Sequence, residues 1–142
     1  MENECLIQGI EILYLMVGGY FDVKEKLLPT KLFVIFGSFF FVSNFFRNNQ
    51  NLKEMMLGSL VGMVLLMIGW FTREAIGYGD GFGVVVLGMV EGFSMTIQIV
   101  WLAFVLSGIY ALWQLIILRK EKTDSIPFFP FLFLAKLGAL IL

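Results

Sequence analysis

Two aspartates in the sequence are placed where acid–base chemistry could occur. Asp22 lies in the segment GYFDVKEKLLP, and Asp80 ends the segment GYGD. Two carboxyl groups that lie close together do not both ionise readily, so one keeps its proton while the other is charged. The charged group can take a proton from water, and the neutral group can donate one to a carbonyl oxygen. Such a pair predicts hydrolysis of an amide bond.

The composition excludes several other chemistries. The chain has no histidine and a single cysteine, Cys5. This excludes Ser-His-Asp and Cys-His catalysis, a His-ligated zinc or haem, a Cys-cluster metal site and an intrachain disulfide. The net charge is -1 and no basic stretch suggests a nucleic-acid surface. We therefore expect no metal, no cofactor and no nucleic-acid partner.

The glycines before Asp80 suggest a small opening that water can reach. Gly77 and Gly79 flank Tyr78, and glycine permits both unusual backbone conformations and close approach of another chain segment. In a membrane, irregular backbone is tolerated only where protein buries it or where it lines a water-filled cavity. The alternative for each aspartate is a plain helix cap.

The elements that must position these residues are apolar helices. Of 142 residues, 59% are hydrophobic and only 15% are charged, and the mean hydropathy is +0.89. Soluble domains average about 45–50% apolar and about 25% charged residues. The sequence therefore predicts an all-α integral membrane protein, a single domain over 1-142, built as a bundle of about six transmembrane helices with short loops. The acidic start, MENEC, lacks the basic segment of a signal peptide, so we interpret the first span as retained.

Apolar runs between charged or Gly/Pro-rich breaks give the boundaries of the spans. The run Gly81–Leu118 is too long for one crossing, and the polar patch Glu91–Ser94 is the expected break. The predicted spans are Leu6–Phe21, Pro29–Phe46, Met55–Phe71, Asp80–Phe93, Met95–Leu118 and Pro127–Leu142.

This topology places Asp22 and Asp80 on the same side of the membrane, near the interface, because two complete spans separate them. The excess of basic residues in short loops marks the cytoplasmic side. That side is the one reached after spans 1, 3 and 5, so we expect both aspartates to face the cytoplasm and the N-terminus to lie outside. The basic residues of that side are Lys24, Lys26, Lys31, Arg73, Arg119, Lys120 and Lys122, against Arg47 and Lys53 on the other.

Three further charges lie inside predicted spans, namely Glu11, Glu91 and Lys136. Charged side chains in membranes usually pair. We expect a Glu11–Lys136 or Glu91–Lys136 pair that holds the bundle together. The alternatives are a role in substrate binding or a lysine that extends to the interface.

Three segments together resemble the type IV prepilin peptidase family, which includes the archaeal preflagellin peptidases. GYGD at 77–80 matches the GxGD motif of that family. FDVKEKLLP at 21–29 resembles its first catalytic segment, which ends here at Pro29. SIPFFPFLFLAKLGAL at 125–140 resembles its last helix, where Pro127 and Pro130 open the span. The order and spacing of these segments fit over nearly the whole chain.

The resemblance implies an integral membrane aspartic endopeptidase of the bacterial or archaeal cytoplasmic membrane. It implies Asp22 and Asp80 as the catalytic pair, with Gly77 and Gly79 in the supporting motif. The substrate would be the leader peptide of a prepilin-like protein. The chain resembles the short members, which lack the four-cysteine region and the methyltransferase activity. It departs from the family where Gly81–Phe82 stands in place of Val-Lys.

Two other functions remain open on the sequence. One is a non-enzymatic small membrane transporter or channel component, in which the acidic pair binds a cation or relays protons. The other is a pilus-assembly subunit that has lost peptidase activity. Cleavage of a leader peptide distinguishes the peptidase from both.

Overall fold

The computed structural model describes residues 2–47, 49–72, 77–117 and 126–141, with side chains from residues 4–46, 52–72, 77–117 and 126–141. These residues form helices and short connections, without a strand among them. The helices are α1 (Glu2–Glu25), α2 (Thr30–Arg47), α3 (Asn49–Phe71), α4 (Tyr78–Ile116) and α5 (Phe129–Ile141).

The helices are of two lengths. Three are long and apolar enough to cross a membrane, over Glu4–Glu25, Leu52–Phe71 and Tyr78–Ile116, and α2 and α5 are shorter apolar helices. The expectation of an all-helical membrane protein is confirmed at this level. The expected count of about six helices is wrong for the described residues, which form five, because the fourth and fifth predicted spans join without a loop between them.

The junction of these two predicted spans lies inside α4, at Gly92. This residue has φ 74° and ψ -176°, a conformation that glycine adopts without the strain that a side chain would add. Glu54 of α3 lies beside the break, where its Oε2 accepts a hydrogen bond from the Phe93 N–H at 3.4 Å. The break therefore falls within the patch Glu91–Ser94 that the sequence indicated.

The first half of α4 runs parallel to α5. Contacts between the two helices advance together along both chains, from Gly83 with Phe129 to Glu91 with Lys136. This alignment places the beginning of α4, which carries Asp80, at the same end of the bundle as the beginning of α5.

The second half of α4 also contacts α5, but without the steady advance seen in the first half. Leu102 lies near Gly138, Phe104 contacts Phe128, and Tyr110 contacts Phe131. The two halves of α4 therefore differ in direction relative to α5, and the change of direction is the kink at Gly92.

Small residues bring α3 against the first half of α4. A Cβ on Gly58 would overlap the backbone of Gly88, and one on Gly62 would overlap Val85. The Gly58 and Gly62 pair therefore serves close internal packing, as small residues four apart do in membrane helices. All five helices contribute to one buried apolar cluster, whose members include Tyr14, Phe40, Leu65, Leu87 and Leu132.

Candidate active site

Asp22 lies in the last turn of α1 and is only 8% exposed. The helix ends three residues later because Lys26 adopts a left-handed conformation, with φ 52°. The Lys26 N–H still donates to the Asp22 carbonyl oxygen at 3.1 Å, which closes the last turn. Asp22 therefore lies where α1 ends and the chain turns toward α2.

The beginning of α5 fixes the orientation of the Asp22 carboxyl group. The Phe129 N–H donates to Asp22 Oδ2 at 3.0 Å, and the Phe128 backbone contributes a second, weaker interaction. The first N–H groups of a helix have no partner within that helix. Asp22 supplies the acceptor, so it acts as a cap, but for α5 and not for its own helix.

Asp80 is the third residue of α4 and is half-buried. Gly77 precedes the helix with φ -61° and ψ 135°, and its carbonyl oxygen accepts the Asp80 N–H at 3.0 Å. A Cβ on Gly77 would lie 3.1 Å from Asp80 Oδ2. Gly77 therefore leaves space beside the carboxyl group, while its backbone conformation is one that any residue adopts.

Gly79, next to Asp80, packs against the segment between α1 and α2, and Pro29 is the last residue of that segment. A Cβ on Gly79 would lie 2.9 Å from Leu28 Cδ1, so the glycine permits close contact there. Pro29 lies just before α2, and its carbonyl oxygen accepts the Leu32 N–H at 2.9 Å. The sequence predicted Pro29 as the first residue of this helix, and the structure places it one residue before the helix begins.

The structure brings Asp22 and Asp80 together. Asp22 lies near enough for its charge to influence the Asp80 carboxyl group. The Asp22 carboxyl group is nearly buried and held by a backbone donor, and Asp80 lies at a partly exposed helix start. The described residues contain no group of three or more acidic or cysteine side chains that could hold a metal ion.

Phe129 is a site residue that the sequence reasoning missed. Its ring is fully buried between two glycines, because a Cβ on either Gly18 or Gly83 would overlap it. The Tyr14 ring packs edge-on against it, with centroids 5.9 Å apart. The two prolines gave a sequence signal, since Pro127 and Pro130 mark a helix start and the first N–H groups of a helix need partners outside it.

Pro127 and Pro130 lie at the entry to α5, as the sequence indicated. Pro127 precedes the helix and Pro130 is its second residue. A Cβ on Gly19 would lie 3.7 Å from Pro130 Cα, so α1 approaches the first turn of α5 closely.

A second acidic pair lies deeper in the same helices. Glu11 is fully buried, and its Oε2 lies 3.1 Å from Lys136 Nζ. Lys136, itself 1% exposed, also forms an ion pair with Glu91. Both ion pairs that the sequence offered as alternatives are therefore present at once, in a cluster that we name the Glu–Lys–Glu layer.

The membrane orientation stays a prediction. Of the basic residues on which it depends, Arg73, Arg119, Lys120 and Lys122 lie outside the described residues.

Comparison with known proteins adds a family. A family model described as the type IV leader peptidase family matches residues 10–112, which contain both Asp22 and Asp80. No curated protein and no solved structure matches the chain.

Proposed function

The chain belongs to the type IV leader peptidase family, and on that premise we propose that it is a membrane aspartic endopeptidase with Asp22 and Asp80 as its catalytic pair. It cleaves the leader peptide of prepilin-like proteins. The observation that supports the proposal most is that Asp22 and Asp80 lie at the same end of the bundle, near enough for their charges to interact, with Asp22 held by the start of α5.

The reaction needs two carboxyl groups in different protonation states. The charged group takes a proton from a water molecule, whose oxygen attacks the carbonyl carbon of the scissile peptide bond. The protonated group donates its proton to the carbonyl oxygen, which gives a tetrahedral diol. Transfer of a proton to the amide nitrogen then accompanies breakage of the carbon–nitrogen bond. The proton for the nitrogen comes from the group that took it from water, and the other group accepts a proton from a diol hydroxyl as the new carboxyl group forms. Both carboxyl groups thereby return to their starting protonation states, ready for another cycle.

The surroundings of the pair suit this chemistry. The Phe129 N–H holds one oxygen of Asp22, which fixes the orientation of the carboxyl group. Burial of Asp22 lowers the local dielectric, which strengthens the interaction between the two groups. The half-buried Asp80 lies on the side from which a substrate segment can approach.

The charge of the site favours a basic substrate. A leader with basic residues is attracted to a pair of acidic groups that share one proton. The excess of lysine and arginine in the loops at this end supports a cytoplasmic location for the cleavage.

The test is cleavage of a coexpressed prepilin-like protein, followed as a mobility shift, by the wild type, Asp22→Asn and Asp80→Asn. Asparagine keeps the size of the side chain but cannot exchange a proton, so we expect each variant to lose about 10²- to 10⁴-fold in rate. Glu25→Gln is the matched control, because it removes an exposed carboxyl group from the same end of α1. It should cleave like the wild type, and all variants should accumulate in the membrane.

Cleavage by either asparagine variant at the wild-type rate would show that the pair is not catalytic. Failure of the wild type on several prepilin-like substrates would instead favour the ion-binding or assembly functions. Ion-dependent transport in liposomes would then distinguish those two.

A further inference from the structure

The Glu–Lys–Glu layer repeats the spacing of the aspartates. Glu11 lies eleven residues before Asp22 in α1, and Glu91 lies eleven residues after Asp80 in α4. Eleven residues are about three helical turns and return to nearly the same face, about 16 Å along the axis. Each helix therefore presents one carboxyl group of each layer toward the same neighbour, α5.

Helix α5 contacts both helices at both levels. At its beginning, Phe129 donates its N–H to Asp22, and its ring lies between Gly18 and Gly83. Seven residues later, nearly two turns along the same face, Lys136 pairs with Glu11 and Glu91. Two contacts at different heights fix the axial position of one helix against another, because a shift of one turn, about 5.4 Å, would break both.

Within the part of the chain that the structure describes, Lys136 is the cation that pairs with both glutamates of this layer. Among the described residues, neither oxygen of Glu11 has a hydrogen-bond partner, so its interaction with Lys136 is the ion pair. Buried charges in a membrane are costly and are retained where they pair. A buried polar contact can specify one arrangement of helices even where it adds little stability.

The position of α5 also affects the proposed catalytic pair, and the inference rests on the function proposed for that pair. We propose that Lys136 is a positioning residue of the peptidase. Through its ion pairs with Glu11 and Glu91 it sets the axial position of α5, and so delivers the Phe129 N–H to the Asp22 carboxyl group.

The test removes the charges without leaving any of them unpaired. In the variant Glu11→Met/Glu91→Met/Lys136→Met the layer is neutral and close to its original volume, and its side chains leave no buried polar group without a partner. Replacement of buried ion pairs by neutral groups is often harmless to stability, so we expect the variant to accumulate in the membrane. We expect kcat to fall at least about tenfold with KM within about twofold, because a misplacement of about 1 Å can cost about a hundredfold in rate.

A second measurement reports the position of α5 without catalysis. A Gly19→Cys/Pro130→Cys pair, in a Cys5→Ser background, joins two positions whose backbones approach closely in the structure. We expect rapid disulfide formation when the Glu–Lys–Glu layer is intact and slower formation when it is neutralised, because disulfides require a narrow range of Cα separations. Lys136→Arg, which keeps the positive charge, should restore part of both kcat and cross-linking relative to the neutral variant.

Either quantity at its wild-type value in the neutral variant would overturn the proposal. If that variant does not accumulate, the single variant Glu11→Gln tests the proposal instead. It keeps the Glu91–Lys136 pair and weakens only the contact between Lys136 and α1. Its kcat and cross-linking rate should fall by less, and unchanged values would again refute the role of Lys136. The same preparations include Asp80→Asn, so failure of the aspartic mechanism is seen separately from failure of the positioning role.

Discussion

The two acidic layers of this protein use the same helices and differ in what α5 supplies. At the aspartate layer α5 contributes backbone N–H groups, which carry only the partial charge of a helix terminus. At the Glu–Lys–Glu layer it contributes the full charge of Lys136. The first layer receives no full positive charge from α5 and keeps acidity that can act on water, whereas in the second layer the lysine balances one of the two carboxylate charges. Chemistry and assembly thus depend on similar carboxyl pairs with different partners.

Exposure separates the layers in the same way. Glu11 and Lys136 are almost completely buried, whereas Asp80 is half-buried at the start of its helix. The aspartate layer is therefore the more accessible of the two to a peptide segment. The comparison predicts that removing one aspartate charge costs activity, whereas removing the lysine alone costs chiefly stability because both glutamates lose their cation.

The largest effect on stability should come from Lys136→Met. This change leaves Glu11 and Glu91 buried without their cation, and breaking a buried ion pair costs about 3–5 kcal/mol. We expect a strong decrease in the amount of folded protein in the membrane and in its thermal stability in detergent.

Lys24→Met is the matched control for that loss. Lys24 is exposed and donates a hydrogen bond to the Tyr20 hydroxyl at 3.1 Å. Its replacement should change stability by no more than about 0.5 kcal/mol. Equal losses at Lys24 and Lys136 would show that the buried layer has no special importance.

An intermediate effect should follow from Gly83→Ala. The new Cβ would overlap the Phe129 ring, which cannot retreat because Gly18 holds its other side. Such overpacking costs about 1–3 kcal/mol, and displacement of Phe129 should lower the rate of leader cleavage by about tenfold or more.

The control is Gly108→Ala in the second half of α4, where a Cβ meets nothing within 4 Å. It should leave cleavage unchanged. A normal rate for Gly83→Ala would show that the position of Phe129 does not govern the aspartate layer.

The smallest effect should come from Glu54→Gln beside Gly92. The substitution weakens a hydrogen bond to the Phe93 N–H at 3.4 Å, at a site exposed to solvent. We expect a loss of stability below about 1 kcal/mol and leader cleavage at the wild-type rate. A large loss of cleavage would mean that the kink at Gly92, next to Glu91, is coupled to the aspartates.

Much of the site could be predicted because its signals are local in sequence. Asp80 follows its glycines directly, and Pro127 and Pro130 mark a helix start, so residue types alone indicated these elements. The break inside α4 was also indicated, since an apolar run of that length exceeds the membrane thickness. The number of helices was not, because a single glycine with positive φ kinks the helix where a loop between two helices was expected.

The sequence by itself determined that the chain is helical and apolar, that histidine and cysteine chemistry are excluded, and that two aspartates stand at helix ends. Only the tertiary structure decided which groups meet. The Phe129 N–H at Asp22, the ring between Gly18 and Gly83, and the joining of Glu11 and Glu91 by Lys136 all connect residues far apart in the chain. Their reason is physical: the partner of a buried polar group depends on how helices pack against one another, and helix packing is not encoded in any one segment.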